Sequence, residues 1–145
     1  MQIGNNDKKK VLIIDDDNWM QRVVSLFLTN MGYEPIVRTK AIDGLIEAVN
    51  NPPNIIILDY LMPEINGDTV YRMLKNIKYT TNIPVIFISG NFDIEALKRI
   101  TTTGGNYFLT KPFNQQKLEE KINSALGIMP KPKFATDAET EVYLV

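Results

Sequence analysis

Asn54-Ile55-Ile56-Ile57-Leu58-Asp59-Tyr60-Leu61-Met62-Pro63-Glu64-Ile65-Asn66-Gly67 decides the fold. Four consecutive aliphatic residues, three of them β-branched, predict a short strand buried on both faces, as in a parallel sheet covered by helices. The run ends on a carboxylate, Asp59. Burying an unpaired charge costs on the order of several kcal/mol, so such an aspartate belongs where the strand stops and a cation or donor meets it.

Working outward, β-branched runs alternate with amphipathic stretches. Residues 11–14, 35–37, 55–58, 85–88 and 107–109 are expected as strands, three of them nearly continuous in Val and Ile. Met20, Val23, Val24, Phe27 and Met31 recur at helical spacing, with Asn18 or Asp17 as N-cap and Gly32 as the stop. A second helix carries Ile42, Leu45, Ile46 and Val49 and ends before Pro52-Pro53. Val70, Leu74 and Ile77 mark a third helix, and Ile94, Leu97 and Ile100 a shorter fourth. A fifth, over 115–126, shows Leu118, Ile122 and Ala125 on one face and Gly127 after its end. Five β-then-α repeats require crossover helices between parallel neighbours. Right-handed crossovers give an α/β, doubly wound parallel sheet with helices on both faces. Such a sheet binds its ligand at the carboxyl ends of the strands, so functional residues should follow strands 1, 3, 4 and 5.

Composition bounds the function classes. The chain has 145 residues, a length that suits one domain. Sixteen basic and 17 acidic residues leave a net charge of −1, which gives no electrostatic case for nucleic acid or an anionic membrane as main partner. The apolar runs fall far short of the roughly 20 residues that span a bilayer. The polar start with Lys8-Lys9-Lys10 lacks an apolar signal core, and a cytoplasmic location is expected. With no cysteine there is no disulfide framework or thiolate metal site. With no histidine there is no imidazole base, His-ligated metal or His triad. The expected organisation is a polar arm at 1–9, one domain at 10–127 and a flexible tail at 128–145, where Pro130 and Pro132 break any helical continuation.

All four strand ends carry chemistry. Strand 1 ends in Asp15-Asp16-Asp17, strand 3 in Asp59, strand 4 in Ser89-Gly90 and strand 5 in Thr110-Lys111-Pro112. Each alone has a bland reading, an acidic triplet before a helix being a common cap and dipole partner. Together, clustered carboxylates repel and demand a cation. An all-oxygen set with waters remaining suits Mg²⁺. One carboxylate then serves as nucleophile toward phosphorus, for which Asp59 is the best placed. Lys111 pairs with a phosphoryl oxygen, Ser89 donates to another, and Gly90 leaves room for the group to approach.

These residues resemble the receiver domain of two-component response regulators, the CheY-like superfamily, over roughly 9–126. The pattern is carried by Asp15-Asp16, Asp59 with Met62-Pro63 and Gly67, Ser89, and Lys111-Pro112-Phe113. The resemblance implies a flavodoxin-like (βα)5 sheet with strand order 2-1-3-4-5. It implies that Asp59 is phosphorylated by a sensor histidine kinase or a histidine phosphotransfer protein. Mg²⁺ would be held by Asp16 and Asp59, by the Leu61 backbone carbonyl, and by Asp15 mainly through water. Asp17 competes with Asp16 for that role if the register slips. The Lys111-Pro112 peptide is expected to be cis. Ser89 would move toward the phosphoryl group and Phe108 would rotate inward, reshaping the face of helix 4, strand 5 and helix 5 for a downstream protein target, with a phosphorylation-dependent homodimer left open. Tyr107 is assigned to surface or sheet packing.

The chain is thus expected to be a signalling switch that catalyses only its own phosphorylation and dephosphorylation. Alternatives are a receiver fragment of a longer regulator or hybrid kinase, and a phosphorylation-independent adaptor. An Mg²⁺-dependent phosphatase would need an acid two residues after its nucleophile, where Leu61 stands. Leu61 is expected to shield an acyl phosphate from water, whereas Asn91 would position one.

Overall fold

A computed structural model describes residues 7–129. Ten elements alternate: β1 (Lys10–Ile14), α1 (Asn18–Asn30), β2 (Glu34–Arg38), α2 (Ala41–Asn50), β3 (Ile55–Asp59), α3 (Gly67–Lys75), β4 (Val85–Ser89), α4 (Ile94–Thr102), β5 (Tyr107–Thr110) and α5 (Gln115–Leu126). The strands form one parallel sheet in the order β2-β1-β3-β4-β5. The α/β doubly wound architecture and its strand order are those expected. Of the tail expected at 128–145, residues 130–145 lie outside the described residues, as do residues 1–6 of the arm expected at 1–9.

Alternation along each strand sends successive side chains to opposite faces and makes two cores. Val11, Ile13, Ile55, Ile57, Ile86 and Ile88 pack with Val24 and Leu28 of α1 and Leu118 and Ile122 of α5. Leu12, Ile14, Ile56, Leu58 and Phe87 face α2, α3 and α4. β3 and β4 are buried along their whole length, as their unbroken apolar composition demands.

Local chemistry sets the helix ends. Asp17 caps α1, its carboxylate accepting from the amides of Trp19 and Met20 at 2.9 and 3.3 Å. Asp93 caps α4 and Asn114 caps α5 in the same way. Gly127 closes α5 at φ 73°, a left-handed conformation that glycine adopts without Cβ strain.

Two expectations are corrected. The third helix stops at Lys75, and Ile77 lies in the turn beyond it. On α2 the buried residues are Ala41, Gly44, Leu45 and Ala48, while Ile42 and Ile46 are exposed. The cause is proximity: a Cβ on Gly44 would fall 2.5 Å from Ile14 Cδ1, so only small residues fit where α2 crosses β1. No described helix is long and apolar enough to cross a membrane.

Candidate functional site at the strand ends

The sheet register assembles the site. β1 and β3 pair with Ile14 beside Leu58, so the next residues, Asp15 and Asp59, emerge together from the core. Asp15 is fully buried and Asp59 nearly so, while Asp16 faces solvent. One oxygen from each of the three carboxylates lies within 4.8 Å of the others. Lys111 Nζ stands 3.6 Å from Asp15 Oδ2 and 3.7 Å from Asp59 Oδ1, one cation between two acids.

Backbone groups hold the acids in place. The Asp17 amide donates to Asp15 Oδ1 at 2.9 Å, and the Leu61 amide donates to Asp59 Oδ1 at 3.3 Å. Gln21, which the sequence did not single out, donates its side-chain amide to the Asp15 carbonyl. The carboxylate of Asp17 is engaged in capping α1. The Lys111 amide donates to the Ser89 carbonyl at 2.8 Å, tying β5 to β4, and the Lys111-Pro112 peptide is cis.

The electrostatics of the pair are strained. Burial, then the charge of Asp15, push the Asp59 carboxyl up to about 7, against the pull of Lys111. Asp15 is also raised, first by burial, with the Asp17 amide and Lys111 opposing. Two carboxyls forced together out of water retain a proton until a cation replaces it. Asp15 Oδ2 is buried without a hydrogen-bond partner. An orphaned carboxylate oxygen, acids that resist ionising and an all-oxygen donor set fit a hard divalent cation such as Mg²⁺.

Around this centre the other residues take distinct positions. Ser89 is buried, but its hydroxyl donates to the Asn91 carbonyl and accepts from the Asn91 amide, both at 3.2 Å, so it is turned into the β4–α4 loop. Gly90 and Pro112 are exposed beside it, and a Cβ added to Gly90 would meet no atom within 4 Å. Phe108 is half-buried and stacked on Phe87 at 6.4 Å, while Tyr107 packs on the opposite core. The Leu61 side chain is 57% exposed at the mouth.

Gly67 has a role that its place in a motif did not explain. A Cβ there would stand 2.9 Å from Tyr60 Cα and 3.0 Å from the Asp59 carbonyl oxygen. The start of α3 therefore runs directly against the backbone carrying Asp59, with the Gly67 amide donating to the Tyr60 carbonyl at 2.7 Å. Tyr60 was also not singled out, although its ring meets both Phe87 and Phe92.

A family model described as "Response regulator receiver domain" matches residues 11–123. Protein PilG of Pseudomonas aeruginosa is 34% identical over 116 residues, covering 78% of this chain and 84% of that protein. The DNA-binding dual master transcriptional regulator RpaA of Synechocystis is 31% identical, over 81% of this chain and 48% of its own length. The chain spans about half the length of most of the curated relatives it matches. Chemotaxis protein CheY4 of Vibrio cholerae superposes with a TM-score of 0.78 at 24% identity, over 82% of this chain and 99% of that one. The receiver domain of a sensor histidine kinase from Pseudomonas aeruginosa, solved with a magnesium ion coordinated in its active site cleft, superposes at 0.76 with 21% identity, over 83% of this chain and 98% of that one. At these identities the two structures establish the shared fold.

Proposed function

The chain belongs to the response regulator receiver domain family and is a phosphorylatable receiver of two-component signalling, and on that premise we propose that Asp59 is its phosphoryl acceptor. The supporting observation is the pair of buried acids bracketed by Lys111. We place the receiver unit at 10–127. The donor is a protein phosphohistidine, from a sensor histidine kinase or a histidine phosphotransfer protein, because the chain has no histidine of its own.

A carboxylate oxygen of Asp59 attacks phosphorus, the phosphorus–nitrogen bond to the donor imidazole breaks, and the imidazole leaves with a proton from solvent. Asp16, Asp59 and the Leu61 carbonyl would hold Mg²⁺ directly and Asp15 mainly through water, and the ion would supply positive charge to the oxygens that gather charge during transfer. Burial and the charge of Asp15 raise the Asp59 carboxyl to about 7, and Mg²⁺ at the site would favour its ionised, nucleophilic form. The ammonium of Lys111 swings from the two acids to a phosphoryl oxygen. Ser89 exchanges its contact with Asn91 for a phosphoryl oxygen, and Phe108 turns into the space it leaves. The face of α4, β5 and α5 then differs between states, and a protein target or a second copy reads it. Hydrolysis of the acyl phosphate resets the switch, with Leu61 at the mouth restricting water.

Incubation with acetyl phosphate and Mg²⁺ should add one phosphate by intact mass, removable with hydroxylamine. Omission of Mg²⁺ should suppress it and Asp59→Asn abolish it. Absence of labelling with acetyl phosphate and with histidine kinases alike would overturn the assignment.

A second reading concerns architecture. The match to RpaA over 48% of its length supports the same receiver acting within a longer regulator, whereas the 84% coverage of PilG supports a receiver that forms most of its own protein. The mass of the protein purified from its native cells separates them.

A further inference from the structure

Of the three clustered acids, Asp16 is the one that packing does not place. Asp15 and Asp59 are buried at the ends of paired strands, whereas Asp16 is exposed in the short loop between β1 and α1. Its carboxylate nevertheless brings an oxygen within 4.8 Å of the other two. A solvated side chain takes its direction from the backbone beneath it, so the hydrogen bonds of this loop decide where Asp16 points.

Gln21, one turn into α1, holds that loop twice. Its backbone amide donates to the Asp17 carbonyl at 3.0 Å, closing the first turn of the helix, and its side-chain Nε2 donates to the Asp15 carbonyl at 2.5 Å. One residue thus grips the chain on both sides of Asp16. The Asp15 carbonyl belongs to the peptide that leads into Asp16, and among the described residues no backbone amide donates to it. The flanks are fixed separately: the Asp15 amide donates to the Arg38 carbonyl at 3.1 Å, and the Asp17 amide to Asp15 Oδ1 at 2.9 Å. Gln21 is half-buried, which shields its bond in part from competing water. Without the Nε2 donor the carbonyl turns to solvent for a partner, and the peptide before Asp16 turns with it.

We infer that Gln21 is a positioning residue of the cation site, holding Asp16 where a small and geometrically demanding divalent ion needs it, and so setting a preference for Mg²⁺ over Ca²⁺. The inference rests on the reading of Asp16 and Asp59 as ligands. Mg²⁺ takes its oxygens at about 2 Å in near-ideal octahedral geometry, whereas Ca²⁺ accepts more oxygens at longer and more variable distances. A carboxylate fixed through its backbone suits the first ion. One that wanders costs Mg²⁺ more than Ca²⁺, because the larger ion adjusts its waters and binds a carboxylate through one oxygen or two. Groups behind the ligands tune metal sites in this way without touching the ion, and Gln21 acts through Asp16.

The test is titration of the whole chain with Mg²⁺ and, separately, with Ca²⁺, followed by backbone amide shifts in NMR, a readout that reaches weak binding and needs no phosphoryl transfer. Gln21→Met keeps the length and helix propensity of the side chain and removes the donor. It should weaken Mg²⁺ affinity on the order of tenfold and Ca²⁺ affinity by less than about threefold. In an Asp16→Asn background the same substitution should weaken Mg²⁺ by less than about twofold, because the carboxylate that Gln21 positions is gone. Wild-type Mg²⁺ affinity in Gln21→Met, an equal loss for both ions, or the same loss with and without Asp16 would overturn the inference and leave the cation site standing. A wild type whose shifts respond to neither ion would remove the site and the inference together.

Discussion

The two faces of the sheet are built from different materials. The face under α1 and α5 is fully aliphatic in its buried residues, with aromatic rings only at its margin. The face under α2, α3 and α4 adds aromatic rings to its aliphatic residues: Tyr60, Tyr71, Phe87, Phe92 and Phe108 touch one another in a continuous series. The orphaned hydroxyl of Tyr60 and carboxylate oxygen of Asp68 also lie on this side. Branched aliphatic side chains interlock with little rotational freedom and hold the strands, whereas flat rings in edge and stacked contacts turn about their bonds at small loss of burial. The first face is a scaffold. The second has the means to exist in two arrangements.

That contrast is open to breakage. Ile57→Ala, in the centre of the aliphatic face, should cost about 3–4 kcal/mol in denaturant unfolding and leave phosphorylation of the folded fraction unchanged. A changed labelling rate in the folded fraction would show that the scaffold face also carries signal.

The acids joining the faces respond to pH. Asp59 is raised from 3.8 to about 7, so between those values the folded chain keeps a proton that the unfolded chain has lost. This contribution to stability is present below the unfolded value and is lost as pH rises through about 7. Without Mg²⁺, stability should fall by on the order of 2 kcal/mol from pH 4.5 to 8, allowing for solvent screening, and Asp59→Asn should remove that fall. Mg²⁺ competes with the same proton, so its affinity should strengthen as pH rises toward 7 and then level off, as measured by calorimetry.

Gly67→Ala sharpens the comparison at the backbone. Its Cβ would press on Tyr60 Cα and the Asp59 carbonyl, neither of which yields readily, so about 1–3 kcal/mol of stability should be lost. Because the displaced atoms carry Asp59, the proposed acceptor, labelling by acetyl phosphate should slow as well. The smallest stability change is expected for Phe108→Leu, under about 1.5 kcal/mol. On the aromatic face it should nonetheless abolish the amide-exchange response of α4 to beryllium fluoride, a mimic of the phosphoryl group on a carboxylate. An intact response would remove Phe108 from the switch.

Much of this was legible in the residues. Unbroken Ile and Val at 55–58 and 85–88 announce central parallel strands, because only a strand covered on both faces tolerates such composition. Once five strands alternate with helices, the strand-end rule brings Asp15, Asp59, Ser89 and Lys111 to one rim, and the structure places them there. The face of α2 was misread for a reason of the same kind. Hydrophobicity ranks Ile42 and Ile46 above Gly44 and Ala48, but the gap over Ile14 admits only small groups.

The sequence by itself therefore determined the order of elements, the buried strands and the set of acids, hydroxyl and ammonium at the rim. These follow from periodicity and strand ends, which are local properties of the chain. Only the tertiary structure decided that Ser89 faces Asn91 rather than Asp59, and that Gly67 is pressed against the backbone of Asp59 and Tyr60. Such facts depend on separations of a few tenths of an ångström between residues distant in sequence. Packing sets those separations, and no pattern of residue types along a single element records them.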